Sequence, residues 1–334
     1  MLQPLLLFFA SAAAIYWACT YFVNGIEWCG RRLNLGATAV GTVLAAFGTA
    51  LPESAVTFVA VALGKTPAEQ DVGVGAAMGG PLVLATLAYA VVGLALLANR
   101  RRLQRQDFTV QVDCRRLARD QAAFLAIFVV KVGLGLVAFA YKPWLGGLFI
   151  LCYALYVWME IRVDETCAEE ATLEPLRCRP QQAEPRLGWA VAQVSAALAV
   201  VAAASHVFVG QLAALGSAAH LPPQLIALLL SPVATELPEI LNAVIWVRQG
   251  KERLALANIS GAMMIQATIP SALGIIYTPW RFGSALLAAG VATAAAVGFL
   301  WLSFRQGSVD ARKLMAAAAF YGVFVVYLFG YVLR

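Results

Sequence analysis

Apolar residues in this chain run in long blocks broken by short polar loops. Ten blocks reach the roughly 20 residues that a helix needs to cross a bilayer. They lie near residues 3–23, 35–63, 72–98, 121–140, 144–161, 189–214, 222–247, 254–277, 283–304 and 313–333. The long polar segments are 99–120 and 162–187, and the second is rich in Glu, Arg and Pro. The pattern predicts an all-α membrane protein of ten transmembrane helices in two halves of five. Residues 1–163 form the first five-helix repeat, 164–187 a cytoplasmic connecting loop, and 188–334 the second repeat. Five spans is an odd number, so the halves are expected in opposite orientations, as inverted repeats.

Charge fixes the orientation. Of 24 Lys and Arg, all but Lys65, Lys131, Lys142, Arg281 and Arg334 fall in loops that lie inside if the N-terminus is outside. That bias satisfies the positive-inside rule. Taken alone, the net charge of +6 would suggest nucleic acid or anionic partners, but its distribution assigns it to topology. With 61% hydrophobic and 13% charged residues and a mean hydropathy of +0.77, the chain is a polytopic membrane protein. The expected setting is the inner or plasma membrane, with the lipid bilayer as partner and no nucleic acid. Met1 to Ala18 looks superficially like a signal peptide, because Ala10-Ser11-Ala12 resembles a cleavage site. It lacks a basic leader and its apolar run continues to Val23, so it reads as the first span. Cys19, Cys29, Cys114, Cys152, Cys167 and Cys178 show no metal-ligand spacing, and Cys167 and Cys178 fall in a cytosolic loop where a disulfide is not expected.

One motif occurs twice. Gly48-Thr49-Ala50-Leu51-Pro52-Glu53 in the second span is matched by Ala234-Thr235-Glu236-Leu237-Pro238-Glu239 in the seventh. Each is followed, twelve residues after its Pro, by Gly-Lys (Gly64-Lys65, Gly250-Lys251). An acid in hydrocarbon is costly, so it faces a protein interior, a cavity or an ion path. Pro52 and Pro238 lack an N–H, which kinks each helix and frees the carbonyl of Gly48 or Ala234. Thr49 and Thr235 add hydroxyls one turn from Glu53 and Glu239. Carboxylate, hydroxyl and carbonyl make an oxygen-only ligand set, suited to a hard cation such as Ca²⁺. The alternative reading, a pair of kinks with snorkelling carboxylates, is disfavoured by the depth of both acids in their spans.

The duplicated motif resembles the two α-repeats of the calcium/cation antiporter superfamily, the sodium/calcium exchanger-like proteins. The family pattern is approximately Gly-Thr-Ser-x-Pro-Glu followed, on the next span, by Gly-Asn-x-x-Gly-Ser-Asn. The resemblance implies that Glu53 and Glu239 are the central cation-binding carboxylates, the metal ligands, with Thr49 and Thr235 beside them. It also identifies departures. Ala50 and Glu236 replace the family serine. Gly75-Ala76-Ala77-Met78-Gly79-Gly80-Pro81 lacks both asparagines and the serine, and Ala257 to Met263 keeps only Asn258. Several neutral oxygen ligands of an exchanger with multiple sodium sites are therefore missing.

Glu236 adds a third acid, three residues before Glu239 on nearly the same helix face. Three neighbouring buried carboxylates resist being ionised together, so a proton is the natural occupant of the empty site. The expected function is secondary antiport of Ca²⁺ or a similar divalent cation against H⁺, with Na⁺ the lesser alternative and no cofactor beyond the transported ion. The alternative is a protein of the same fold without coupled exchange, acting as a cation leak, channel or sensor. An enzyme is not expected: no His-Glu-x-x-His motif is present, and His206 and His220 form no triad-like pattern. Glu236 facing a water-filled vestibule or paired with Lys131, His206 as a proton relay, and Asn242 or Gln266 as site extensions stay open at this stage. Oligomeric state is not readable from the chain.

Overall fold

The computed structural model describes residues 2–33, 45–100, 108–110, 112–163 and 174–332, with backbone alone at 45–49, 160–163 and 331–332. Residues 35–44 of the second expected span, Arg101, Arg102, Arg105, Cys167, Arg334 and the Thr49 side chain lie outside this description, as does 164–173 of the connecting loop.

The described residues are helical throughout, apart from turns and one isolated bridge between Thr109 and Asp310. In order the helices are α1 (Leu2–Arg32), α2 (Ala45–Ala62), α3 (Pro67–Val83), α4 (Tyr89–Asn99), α5 (Cys114–Leu136), α6 (Leu145–Val163), α7 (Leu187–Ala218), α8 (Pro223–Thr235), α9 (Leu237–Arg248), α10 (Glu252–Tyr277), α11 (Ser284–Arg305), α12 (Ala311–Ala316) and α13 (Ala318–Tyr327). A five-residue π segment, Leu84–Ala88, joins α3 to α4 without a break in direction. Among the described residues, eight helical stretches are long and apolar enough to cross a membrane, and α2 contributes a shorter apolar stretch, Ala50–Ala62.

The helix starts follow local chemistry. Thr66 caps α3 in a reciprocal box with Glu69, and Pro67 stands at the first helical position. Asp113 caps α5 and Asp310 caps α12. Gly250 adopts φ +75° in the turn between α9 and α10, a conformation that disfavours a side chain.

The distribution of polarity is that of a protein in lipid. Leu94, Val129, Leu148, Leu151, Val291, Leu302, Val323, Val326 and Phe329 stand on the outer surface, while Glu53, Lys131, Glu236, Glu239 and Gln266 are buried inside. Lipid solvates the apolar exterior, and the polar groups find partners only within the bundle.

Packing runs across the two halves. α1 lies along α7, α3 packs on α8, α2 on α10, α5 on α11, α6 on α10, and α12 on α4. Glycines set the α3–α8 distance. A Cβ on Gly75 would run into the Gln224 carbonyl, and one on Gly79 would meet the Leu228 carbonyl at 2.5 Å and Pro232 at 2.7 Å. Small residues at such crossings let helix backbones approach closely.

The loops fall into two groups. Arg100 and Arg312 both stack on Phe108, Val110 donates to the Val309 carbonyl, and Arg32 bonds the Pro185 carbonyl. In the other group, Lys142 donates to the carbonyls of Val137, Pro279 and Trp280, Phe282 donates to Gly135, and Gln224 donates to Asp71. The first group joins loops that the charge pattern places inside, and the second joins loops that it places outside.

Candidate functional site

The two copies of the repeated motif fold differently. α2 continues through Pro52, whereas the second copy breaks at Glu236: α8 ends at Thr235 and α9 begins at Leu237. Glu236 sits at the break with φ −97° and ψ −12°. Its N–H still bonds the Pro232 carbonyl at 2.9 Å, and its own carbonyl accepts from Ile240 at 3.1 Å. Pro238 therefore stands in the first turn of α9, where a missing N–H costs nothing. The partly buried Ala234 lies just before this break, and Gly48 lies one turn before Pro52 on the α2 backbone.

All three motif acids are buried, each about 1% exposed. Glu236 is the best satisfied. Its Oε2 accepts a 2.7 Å bond from Gln266 Nε2 on α10, and its Oε1 accepts from the Thr235 hydroxyl at 2.9 Å. The Thr235 oxygen also lies 3.2 Å from the Ser231 carbonyl, so its single proton serves one acceptor at a time. Glu53 is the least satisfied: neither of its oxygens finds a donor among the described residues, and Glu239 Oε2 has none either. The carboxyl groups of Glu53 and Glu236 adjoin within hydrogen-bonding reach, a contact that becomes a bond only when one of them holds a proton. Glu239 lies within electrostatic range of both.

The structure thus brings Glu53, Glu236, Glu239 and Thr235 into one buried region at the junction of α2, α8, α9 and α10. The nearest carboxyl partner of Glu53 is Glu236, the residue that sequence comparison marks as a departure. Among the described residues no group of three His, Cys, Asp or Glu converges closely enough to hold a metal ion on side chains alone.

The glycine segment of α3 completes the wall. An added Cβ at Gly80 would meet Glu53 Oε2 at 2.5 Å and Oε1 at 2.6 Å. The position where the resembled family has a serine is therefore filled by the Glu53 carboxylate itself. Thr57, one turn beyond Glu53, is fully buried and its hydroxyl has no partner among the described residues.

Lys131 on α5 does not pair with Glu236. Its ammonium bonds the Ala77 carbonyl of α3 at 2.7 Å and lies 3.5 Å from the Gln266 carbonyl, within electrostatic range of Glu53. Asn258 is partly buried on α10, eight residues or about 12 Å of helix rise from Gln266. Its buried Nδ2 has no acceptor among the described residues. His206 is exposed on α7, so the relay reading gains no support from its burial. Gln266 is the residue whose importance the sequence under-reports. An amide in a predominantly apolar span is the available signal, but the residue it faces depends on how α10 is rotated against α8.

Comparison with known proteins agrees with this architecture. The sodium/calcium exchanger protein family model matches residues 3–162 and 189–331. The putative antiporter CaxA of Alkalimonas amylolytica is 26% identical over 304 residues, covering 88% of each chain. Among solved structures, the H⁺/Ca²⁺ exchanger CAX superposes with a TM-score of 0.74 at 17% identity, over 98% of this chain and 82% of that one. The sodium–calcium exchanger NCX_Mj superposes with a TM-score of 0.59 at 16% identity, over 98% and 99%. These structures share the fold, and the family match extends over both halves of the sequence. With a buried glutamate in each copy of its repeated motif and a helical membrane bundle around them, this chain belongs to the sodium/calcium exchanger protein family.

Proposed function

We propose that this protein is a secondary active antiporter that exchanges Ca²⁺, or a similar divalent cation, for H⁺ at the buried Glu53–Glu236–Glu239 cluster. The observation that carries the reading is the adjoining Glu53 and Glu236 carboxyls, with no other donor to Glu53 among the described residues. Two such groups in a dry site share a proton when empty. A divalent ion compensates both charges at once, so binding it releases the proton.

The proposed frame is ten spans in two inverted five-helix halves, 1–163 and 188–334. Swapped packing supports it. If each helical unit is matched with the one five spans later, α3 on α8 is the counterpart of α10 on α2, and α6 on α10 is the counterpart of α12 on α4. α1 on α7 and α5 on α11 are their own counterparts. The family match in two stretches, separated by the connecting segment, is in keeping with this division. The two groups of loop contacts keep the loops of each side together, and the Lys and Arg bias toward the first group supports an N-terminus outside and the main loops in the cytoplasm.

In this reading Glu53 and Glu239 are the principal ligands, and Glu53 and Glu236 share the exchanged proton. Thr49, Thr235 and the carbonyls of Gly48 and Ala234 supply neutral oxygens. Asn258 is kept as a candidate oxygen ligand, about 12 Å of helix rise from Gln266 along α10.

The test is ⁴⁵Ca flux in liposomes holding the purified protein, with Na⁺ and pH gradients varied independently. Exchange driven by the pH gradient supports the proposal. Flux that follows the Na⁺ gradient and ignores pH sinks the choice of counter-ion. Flux that follows neither gradient identifies a leak or channel.

A further inference from the structure

Lys131 has the surroundings of a bound monovalent cation. It is completely buried, and its ammonium is held by main-chain carbonyls of two other helices, Ala77 on α3 at 2.7 Å and Gln266 on α10 at 3.5 Å. The face of Phe128 lies 5.2 Å away, and Glu53 lies within electrostatic range. A lysine placed only as a counter-charge gains most from direct contact with a carboxylate. Here the closest ligands are neutral carbonyl oxygens, the donor type that holds Na⁺ or K⁺ in dry protein sites.

The two carbonyls belong to the elements that matter for exchange. Ala77 lies in the Gly75–Pro81 segment that has lost the family's polar side chains, and Gln266 is the residue whose amide holds Glu236. Lys131 is also fastened from behind. Its own carbonyl accepts from Trp280 Nε1 at 3.2 Å, and the Trp280 carbonyl accepts from Lys142 Nζ at 2.8 Å.

We propose that the Lys131 ammonium is a tethered cation occupying a place that a dissociable Na⁺ would otherwise take. It places its ammonium beside Glu53 and ligates the carbonyls of both halves. Because it cannot leave, it removes Na⁺ from the exchange and leaves the proton as counter-ion. This inference rests on the antiport reading and names the residue that selects its counter-ion.

The experiment uses the full-length protein in detergent, with melting temperature followed as choline is replaced by Na⁺ up to about 100 mM. A ligand that binds only the folded state raises the midpoint, and a newly opened site predicts a rise of about 2 °C or more. Lys131→Ala, which vacates the carbonyls, is expected to gain this saturable Na⁺ response. Lys131→Met, which fills the same volume without charge, is expected to show none, and neither is the wild type. If Lys131→Ala does not fold, Lys131→Ser takes its place with the same expectation. A folded Ala or Ser variant that ignores Na⁺ overturns the proposal, as does a saturable Na⁺ response in the wild type. The readout is binding, so this result is separate from the flux assay: loss of Ca²⁺/H⁺ exchange in that assay refutes the antiport reading without altering the melting curves.

Discussion

Gly80 of α3 lies directly against the carboxylate of Glu53 on α2, with 2.5 Å between Glu53 Oε2 and the place a Cβ would occupy. The neighbouring Gly79 meets backbone instead, the Leu228 carbonyl on α8. Two adjacent glycines therefore serve different ends: one shapes the acid site and the other sets a helix crossing.

Gly80→Ala should fold and lose transport. The group it displaces is the flexible end of a side chain, and the helix propensity gain of about 1 kcal/mol offsets part of the strain. The expected change in stability stays within about 1 kcal/mol, while ⁴⁵Ca exchange falls at least tenfold. Gly79→Ala must push one helix backbone off another and should lose about 1–3 kcal/mol. Thermal melts beside flux assays separate the two variants. Equal melting losses, or normal exchange in Gly80→Ala, would contradict the geometry.

Glu53→Gln should abolish exchange and leave stability unchanged or raised. Its amide reaches the Glu236 carboxylate that adjoins it and donates the bond that a protonated Glu53 supplies. The variant resembles the proton-loaded state and cannot release its proton to a divalent ion. Glu239→Gln is expected to lose exchange as well, since it removes a charge the ion requires. Flux at wild-type rates in both variants refutes the ligand assignment.

Proton release gives a third check. Ca²⁺ affinity of the wild type is expected to rise with pH, because protons and the cation compete for the same carboxylates. Lys131 is the cation that faces this group, and Glu236 and Glu239 are the acids. Glu236→Ser removes one proton carrier, so fewer protons should appear per Ca²⁺ bound. Dye-detected proton release during Ca²⁺ titration measures this directly. An unchanged proton count in Glu236→Ser would show that Glu236 carries none of the exchanged protons.

A fourth prediction concerns the connecting segment. Gln193 on α7 donates to the Tyr21 carbonyl at 2.8 Å and to Asn24 Oδ1 at 3.0 Å, and accepts from Cys178 N–H at 2.8 Å. Asn24 Oδ1 accepts from Arg177 N–H at 3.0 Å, and Leu176 is fully buried beside Trp28 and Ala190. The second part of the loop is thus seated on the α1–α7 pair. Gln193→Leu orphans several buried groups, at a cost of about 1–3 kcal/mol for each group left unsatisfied, and should speed proteolysis within residues 174–186. Cleavage at the wild-type rate would show that these bonds do not hold the loop.

Hydropathy made the membrane class legible, because a bilayer demands about 20 apolar residues per helix and tolerates few charges between them. The repeated Thr-x-Leu-Pro-Glu motif marked Glu53 and Glu239, because an intramembrane acid is too costly to be incidental. Those signals are local in the chain. The pairing of Glu53 with Glu236, the amide of Gln266 on Glu236, and the carbonyl cradle of Lys131 are not local. They depend on how far α3 and α10 approach α8 and α2, and on the break at Glu236 between α8 and α9. Helix rotation and crossing distance arise from close packing among residues far apart in the sequence. The sequence by itself determined that the chain is a helical membrane protein and singled out the acids that its apolar stretches carry. The tertiary structure decided which carboxyl meets which, and placed a lysine ammonium between carbonyls of both halves.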